Sequence, residues 1–310
     1  MQRDGTAKPA VGFVGLGTMG WPMAANVAMA GFPMFVHNRT RARADAFAAE
    51  MDGVTACASP AEVAASAVVV LTMLGDGTAV DDVYVGDDGL LAGTQPGSVL
   101  VEMSTIGPEH VETLGTRVRS VGVELVDAPV SGSVATAGSA ALLVMAGGHE
   151  TAIERARPAL EALGTVVHVG PAGAGATMKL AVNTVVYGLN QAVSEGLVLA
   201  ERAGLDRLLT YDVFANSAIA APFVHYRREA FERPGAVPVA FRLALASRDL
   251  QLILGLGERV GADLQQAETN LAVLRLAAAA GFGDEDVSAV ARFLREERPT
   301  SSAVIPERGG

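Results

Sequence analysis

A short apolar run, Ala10–Val14, leads at once into Gly15-Leu16-Gly17-Thr18-Met19-Gly20. Apolar residues at helical spacing follow through Met23, Ala24, Val27 and Ala28, and Gly31 ends them before a second apolar strand, Met34–His37. Strand, glycine turn, helix and strand within about thirty residues is the setting in which G-x-G-x-x-G holds a dinucleotide. Each glycine has its own reason. Gly15 allows the tight turn, Gly17 lets backbone N–H groups approach a pyrophosphate, and Gly20 lets the helix pack close to the strand. The helix N-terminus favours the anion, and Met19 stands in the same loop.

The alternation continues. Val68–Leu74, Val99–Met103, Glu124–Val130, Leu142–Ala146 and Val166–Val169 read as further strands. Pro171-Ala172-Gly173-Ala174-Gly175 then breaks the pattern, and from Gly173 to about Arg298 the periodicity is helical. The predicted fold class is therefore α/β: a Rossmann dinucleotide-binding domain over 9–171, then an all-α domain over 172–298 begun by a long interdomain helix. Residues 1–8 and 299–310 read as tails. In open sheets ligands lie at the carboxyl ends of strands, which makes Met73, Leu74, Ser104 and Thr105 candidate cofactor contacts. After the second strand an NAD-binding chain usually has Asp or Glu for the ribose. This chain has Asn38-Arg39-Thr40, followed by Arg41 and Arg43. Arg39 suits a 2′-phosphate, whereas Arg41 and Arg43 read as a solvated first helical turn. The expected cofactor is NADP(H), with NAD(H) as the second choice.

The segment from Gly173 to Gly204 reads as one helix. Its apolar stripe runs through Met178, Val182, Val185, Leu189, Val193, Leu197 and Ala200, and its other residues are mostly small or apolar, so burial is expected on more than one side. A sparse polar line, Lys179, Asn183, Tyr187, Asn190 and Ser194, falls on one face. The chain has only two lysines, Lys8 in the expected tail and Lys179. Arginine serves everywhere else. Lys179 can release a proton where Arg cannot, so it is the candidate proton-transfer group; the structural alternative is a lysine that snorkels to the surface. Apolar neighbours and the helix N-terminus would both favour its neutral form.

Asp127-Ala128-Pro129-Val130-Ser131-Gly132-Ser133 closes a strand with small and polar residues, a turn whose N–H groups and hydroxyls would hold a carboxylate. The net charge of −11 argues against nucleic acid or an anionic membrane as a partner. Cys57 is the only cysteine, so neither an internal disulfide nor a Cys-based metal site is expected. No signal-peptide pattern and no membrane-spanning stretch is read, and a cytoplasmic location is expected.

Four motifs in order resemble the β-hydroxyacid dehydrogenases, the group that includes 3-hydroxyisobutyrate dehydrogenase and the glyoxylate/succinic semialdehyde reductases. Gly12 to Asn26 resembles that family's cofactor loop. Asp127 to Ser133 resembles its substrate loop, departing at Ser133 where the family usually has Gly. Gly173-Ala-Gly-Ala-Thr-Met-Lys179, with Asn183 one turn on, resembles its catalytic helix start. Phe241 followed by Arg248-Asp249-Leu250 resembles a late motif that usually reads Lys-Asp-Leu. The resemblance implies hydride transfer between nicotinamide and a small β-hydroxyacid or semialdehyde. Lys179 would then be general acid and base, Asn183 its partner or a substrate ligand, and Ser131, Gly132 and Ser133 the carboxylate site. Arg248 would contact the cofactor. Two rivals stand beside it: an imine reductase, against which Lys179 counts, and a non-catalytic NADP(H)-binding module. The long apolar helix predicts a homodimer or homotetramer.

Overall fold

The computed structural model describes residues 8–296. Two units are present, the first ending at Asn183 and the second beginning at Thr184. Of the expected tails, residues 1–7 and 299–310 lie outside the described residues. Lys8 departs from expectation: its Nζ donates to the Ala30 carbonyl at 2.6 Å and stands 4.4 Å over the Phe32 ring.

The first unit alternates strand and helix through β1 (Val11–Val14), α1 (Gly20–Met29), β2 (Met34–His37), α2 (Arg41–Glu50), β3 (Val54–Ala56) and α3 (Pro60–Ser66). It continues with β4 (Val69–Thr72), α4 (Gly77–Val85), α5 (Leu90–Gly93), β5 (Val99–Glu102), α6 (Pro108–Ser120) and β6 (Glu124–Asp127). Then come β7 (Val130–Ser131), α7 (Val134–Gly138), β8 (Leu142–Gly147), α8 (Glu150–Glu161) and β9 (Gly164–Gly170). Strands β3-β2-β1-β4-β5-β6 lie side by side and parallel. Strand β8 runs antiparallel to β6 and β7, and β9 pairs parallel with β8. The period of two along each strand divides the core. Val11, Phe13, Val69, Leu71, Val99 and Val101 join one buried cluster, and Val14, Val70 and Leu100 join the other. Burial on both faces is why β1, β4 and β5 are apolar almost throughout.

The structure revises the expected strands in two places. The strand expected over Glu124–Val130 stops at Asp127 and resumes for two residues at Val130, because Pro129 has no N–H to give a ladder. Strand β3 escaped notice because three half-exposed residues carry too little pattern.

Helix α9 (Ala174–Arg202) runs 29 residues and passes from the first unit into the second. Gly204 at φ +87 ends it, with Leu205 N–H donating to the Ala200 carbonyl at 3.0 Å, a left-handed C-terminal cap. Burial along the expected apolar stripe is uneven in the single chain: Val193 and Leu197 are buried. Val185 and Leu199 are 70% and 73% exposed, whereas Asn183, Tyr187, Asn190 and Ser194 are buried. The polar line is the inward face because it has partners there: the Asn190 amide donates to the Val287 carbonyl at 3.2 Å, and Ser194 back-bonds to Asn190 at 2.7 Å. A helix apolar on every side gives periodicity no direction to choose.

The second unit adds α10 (Arg207–Ala215), α11 (Pro222–Glu232), α12 (Leu243–Val260), α13 (Gln265–Ala277) and α14 (Val290–Arg295), with no strand among the described residues. Val193 and Leu197 of α9 pack there with Tyr211, Phe223, Val224, Phe231 and Ala291. No helix among the described residues is long and apolar enough to cross a membrane.

Candidate active site

The carboxyl ends of the central strands stop at one level. Val14 is in register with His37 and with Thr72, Thr72 with Glu102, Glu102 with Asp127, and Asp127 with Gly147. The loops beyond β1, β4, β5 and β6 therefore leave the sheet side by side.

The glycine turn fits a dinucleotide. Gly15 sits at φ +100, and a Cβ there would stand 2.2 Å from the Met73 carbonyl oxygen. At Gly20 a Cβ would fall 1.8 Å from the Gly15 carbonyl oxygen. At Gly17 a Cβ would meet nothing within 4 Å, so the backbone there faces open space. The N-terminus of α1, capped by the half-buried Met19, has no side-chain cap and no acidic residue in its first turn. An uncapped helix start behind a bare glycine leaves N–H donors and positive potential for a diphosphate.

Asn38 braces this turn: its Oδ1 accepts from Leu16 N–H at 3.0 Å while its amide donates to the Thr40 carbonyl at 3.1 Å. Arg41 pairs with Asp45 at 2.7 Å, as a solvated helix residue would. Arg43 does not fit that reading. Its Nε donates to the Leu16 carbonyl in the glycine turn, and its guanidinium lies 5.4 Å over the Trp21 ring. Arg39 is exposed beside the exposed Thr40, and among the described residues no ion pair or hydrogen bond holds its guanidinium.

Beyond β4 and β5, Met73, Leu74 and Thr105 are half-buried. Beneath them lies a buried polar network that the sequence reading missed. Glu102 accepts from Thr72 Oγ1 at 2.5 Å and from Ser104 N–H at 2.7 Å, and Thr72 Oγ1 also meets the Tyr84 hydroxyl at 2.9 Å. Ser104 Oγ in turn accepts from Leu74 N–H at 2.8 Å. Burial pushes the Glu102 carboxyl up, and the bonds from Ser104 and Thr72 oppose the rise. The available signal was an acid ending an otherwise apolar strand, Val99-Leu100-Val101-Glu102.

In the turn after β6, Ser131 is half-buried and Gly132 exposed. Ser133 caps α7: its Oγ accepts from Thr136 N–H at 3.2 Å, and its own N–H donates to Thr136 Oγ1 at 2.6 Å. The hydroxyl, which is what the departure from Gly adds, thus completes the local capping box. The Asn26 amide of α1 donates to the Ala137 carbonyl and ties the cofactor helix to α7.

Lys179 is half-buried and Asn183 is 6% exposed, one helical turn further along α9. At the start of this helix Asp127, itself 1% exposed, accepts from Gly173 N–H and Ala176 N–H, each at 2.8 Å. The helix start is thus occupied by a carboxylate, so the positive potential expected to act on Lys179 is opposed at its source. In the second unit, Asp249 accepts from the Tyr187 hydroxyl at 2.7 Å and pairs with Arg248 at 2.8 Å, while Phe241 stacks on Tyr187 with ring centres 6.4 Å apart. Asp249 therefore holds the Arg248 side chain.

Residues 10–170 match the family of NAD-binding domains of 6-phosphogluconate dehydrogenase, and residues 173–294 match the NAD-binding domain of NADP-dependent 3-hydroxyisobutyrate dehydrogenase. The chain belongs to the β-hydroxyacid dehydrogenase family. Within it, the chain is 32% identical over 294 residues to glyoxylate/succinic semialdehyde reductase 2 of Arabidopsis thaliana, covering 94% of this chain and 81% of that protein. It is 35% identical over 295 residues to a probable 3-hydroxyisobutyrate dehydrogenase of Mycobacterium tuberculosis, covering 92% and 97%. The crystal structure of 3-hydroxyisobutyrate dehydrogenase from Salmonella typhimurium superposes with a TM-score of 0.85 at 28% identity, covering 92% of this chain and all of that one. Family membership makes the chain an enzyme of the NAD(P)-dependent dehydrogenase class, with its dinucleotide fold in the first unit.

Proposed function

We propose that this enzyme transfers hydride between a nicotinamide and a small β-hydroxyacid or semialdehyde, with Lys179 as the proton-transfer group. The observation that carries the reading is the placement of Lys179. The chain's one lysine in a helix core-facing line stands a single turn beyond Ala176, where Asp127 ties α9 to the strand that leads into Ser131–Gly132. When bound, the dinucleotide supplies or accepts the hydride.

The remaining steps fall to the protein. During reduction Lys179 gives a proton to the developing alkoxide oxygen, and during oxidation it takes one from the hydroxyl. Asn183 orients Lys179 or binds the same oxygen. N–H groups and the hydroxyl of the Ser131–Gly132 turn hold the substrate carboxylate. Ser133 acts through the shape of that turn, since its polar groups are engaged by Thr136. Arg248, held by Asp249, supplies positive charge toward the cofactor. Arg39 clamps a 2′-phosphate and makes NADP(H) the preferred cofactor. Small carboxylate-bearing aldehydes are the substrate class favoured by the relatives' names, glyoxylate and succinic semialdehyde among them.

A reductase screen over two- to four-carbon semialdehydes with NADPH and NADH tests the reading. Turnover with at least one of them, faster with NADPH, is expected. Reduction of a cyclic imine with no turnover of any semialdehyde would overturn it. The exposed apolar side chains of the second unit, Val185, Leu199, Leu205, Leu209 and Val213, suit a face covered by a second copy. A homodimer or homotetramer is expected, and a monomeric mass by light scattering at micromolar concentration would exclude both.

A further inference from the structure

We infer that Asp127 is a positioning residue for the catalytic lysine: its carboxylate locks the first turn of α9 to the end of β6, and so fixes where Lys179 stands relative to the Ser131–Gly132 turn. The inference rests on the role proposed above for Lys179 and goes beyond it by naming what holds that residue in place.

Three observations carry it. The first is the double bond to the helix: Oδ1 accepts from Gly173 N–H and Oδ2 from Ala176 N–H, both at 2.8 Å, across 46 and 49 residues of chain. The second is the packing around it. A Cβ at Gly147 would stand 2.6 Å from Asp127 Oδ1, and a Cβ at Gly175 would stand 2.4 Å from the Asp127 carbonyl oxygen and 2.5 Å from that of Met145. Backbone meets backbone here, and the helix start has no slack. The third is the path of the chain. Asp127 is in register with Gly147 of β8, and four residues on Ser131 is in register with Leu143 of the same strand. The turn assigned to the substrate carboxylate and the helix bearing Lys179 are thus referred to one strand.

The groups facing Asp127 are backbone ones, from α9 and from β8. Burial raises its carboxyl from 3.8 to about 6 against the opposing pull of the Ala176, Gly173 and Gly175 N–H groups. A buried acid kept at that disadvantage fits a positional task better than a purely structural cap, for which an exposed Asp suffices, as at Asp206 on α10.

The test compares the full-length parent with Asp127→Asn and, as a control for capping in general, Asp206→Asn. Asparagine keeps the shape but turns one acceptor oxygen into a donor facing an N–H. Misplacement of a reacting group by about 1 Å costs on the order of a hundredfold in rate. Asp127→Asn should therefore lower kcat on the best semialdehyde at least tenfold. Its NADPH dissociation constant, read by nucleotide fluorescence, should stay within twofold. Amide exchange should accelerate over residues 174–180 while β1 and α1 keep their protection. Asp206→Asn should leave all three unchanged. If Asp127→Asn fails to fold, Asp127→Ser, which keeps one acceptor, is read the same way. The inference is overturned if kcat and exchange match the parent. It is equally overturned if kcat and NADPH affinity fall together with protection lost throughout the first unit. A parent chain that reduces no semialdehyde removes the functional reading alone, because the exchange measurement still decides what Asp127 holds.

Discussion

Glu102 and Asp127 are register partners on the adjacent parallel strands β5 and β6, and each is 1% exposed. Their carboxylates serve different neighbours. Glu102 gathers Thr72 and Ser104 under the Met73–Leu74 and Ser104–Thr105 loops, and Asp127 gathers the start of α9. Two buried acids side by side thus organise the loops beyond β4 and β5 and the start of α9 separately.

Glu102→Ala isolates the first of these. It strands the buried Ser104 N–H, at about 1–3 kcal/mol for a group left unsatisfied, while Thr72 Oγ1 keeps the Val101 carbonyl and the Tyr84 hydroxyl. Stability in urea should fall by that order, and NADPH affinity should drop several-fold as Leu74 loses the serine that holds its N–H. Unchanged affinity in a folded variant would detach this network from the cofactor.

The pH dependence of stability should carry the mark of Asp127. Its folded carboxyl titrates at about 6, above the ordinary 3.8, so between those values the native state keeps a proton that the unfolded chain has released. The stability this provides is full below about pH 4 and is lost as pH rises through about 6. A rise of that size corresponds to about 3 kcal/mol at most. Urea unfolding of the parent and Asp127→Asn should therefore show the parent's relative stability declining over that window. A difference that stays flat with pH would contradict it.

Arg39→Ala should collapse the preference for NADPH. A charge-assisted pair contributes about 1.5–3 kcal/mol, roughly ten- to a hundredfold in kcat/KM. Steady-state rates with both nucleotides check this. Equal use of NADPH and NADH by the parent would refute the assignment.

Lys179→Arg keeps charge and stem but cannot release a proton near neutral pH. Both Lys179→Arg and Lys179→Ala should lose about 10²–10⁴-fold in kcat, and both should lack one ionisation in the pH–rate profile. An Arg variant within a few-fold of the parent would leave Lys179 as a binding charge only.

What the sequence disclosed and what it withheld divide by distance along the chain. The glycine turn, the C-terminal stop at Gly204 and the polar line on α9 are local patterns, and each is found where its spacing puts it. Ser133 was also within reach, since Ser-x-x-Thr before a short helix is a capping pattern. Asp127 opens a motif legible in the sequence, but its partners lie 46 and 49 residues away, and only the fold brings them together. Glu102 depends in the same way on Thr72, thirty residues upstream in the chain. The sequence does not single out one buried face of α9, because its apolar residues surround the helix and the partners of Tyr187 and Asn190, Asp249 and Val287, are far along the chain.

Helix α9 is unbroken across Asn183 and Thr184, where one unit gives way to the next. Each residue of an α-helix turns the chain by about 100°. The angular phase between Tyr187 and the later inward residues Asn190 and Ser194 is therefore set by residue count alone. One residue inserted between Tyr187 and Asn190 would rotate every later side chain by about 100°, turning Asn190 away from the Val287 carbonyl while Tyr187 still meets Asp249. No flexible linker exists there to absorb the error. Chimeras that exchange the helical half between relatives must therefore preserve this count, and a shift of a single position should abolish folding of the recombinant even when every motif is retained.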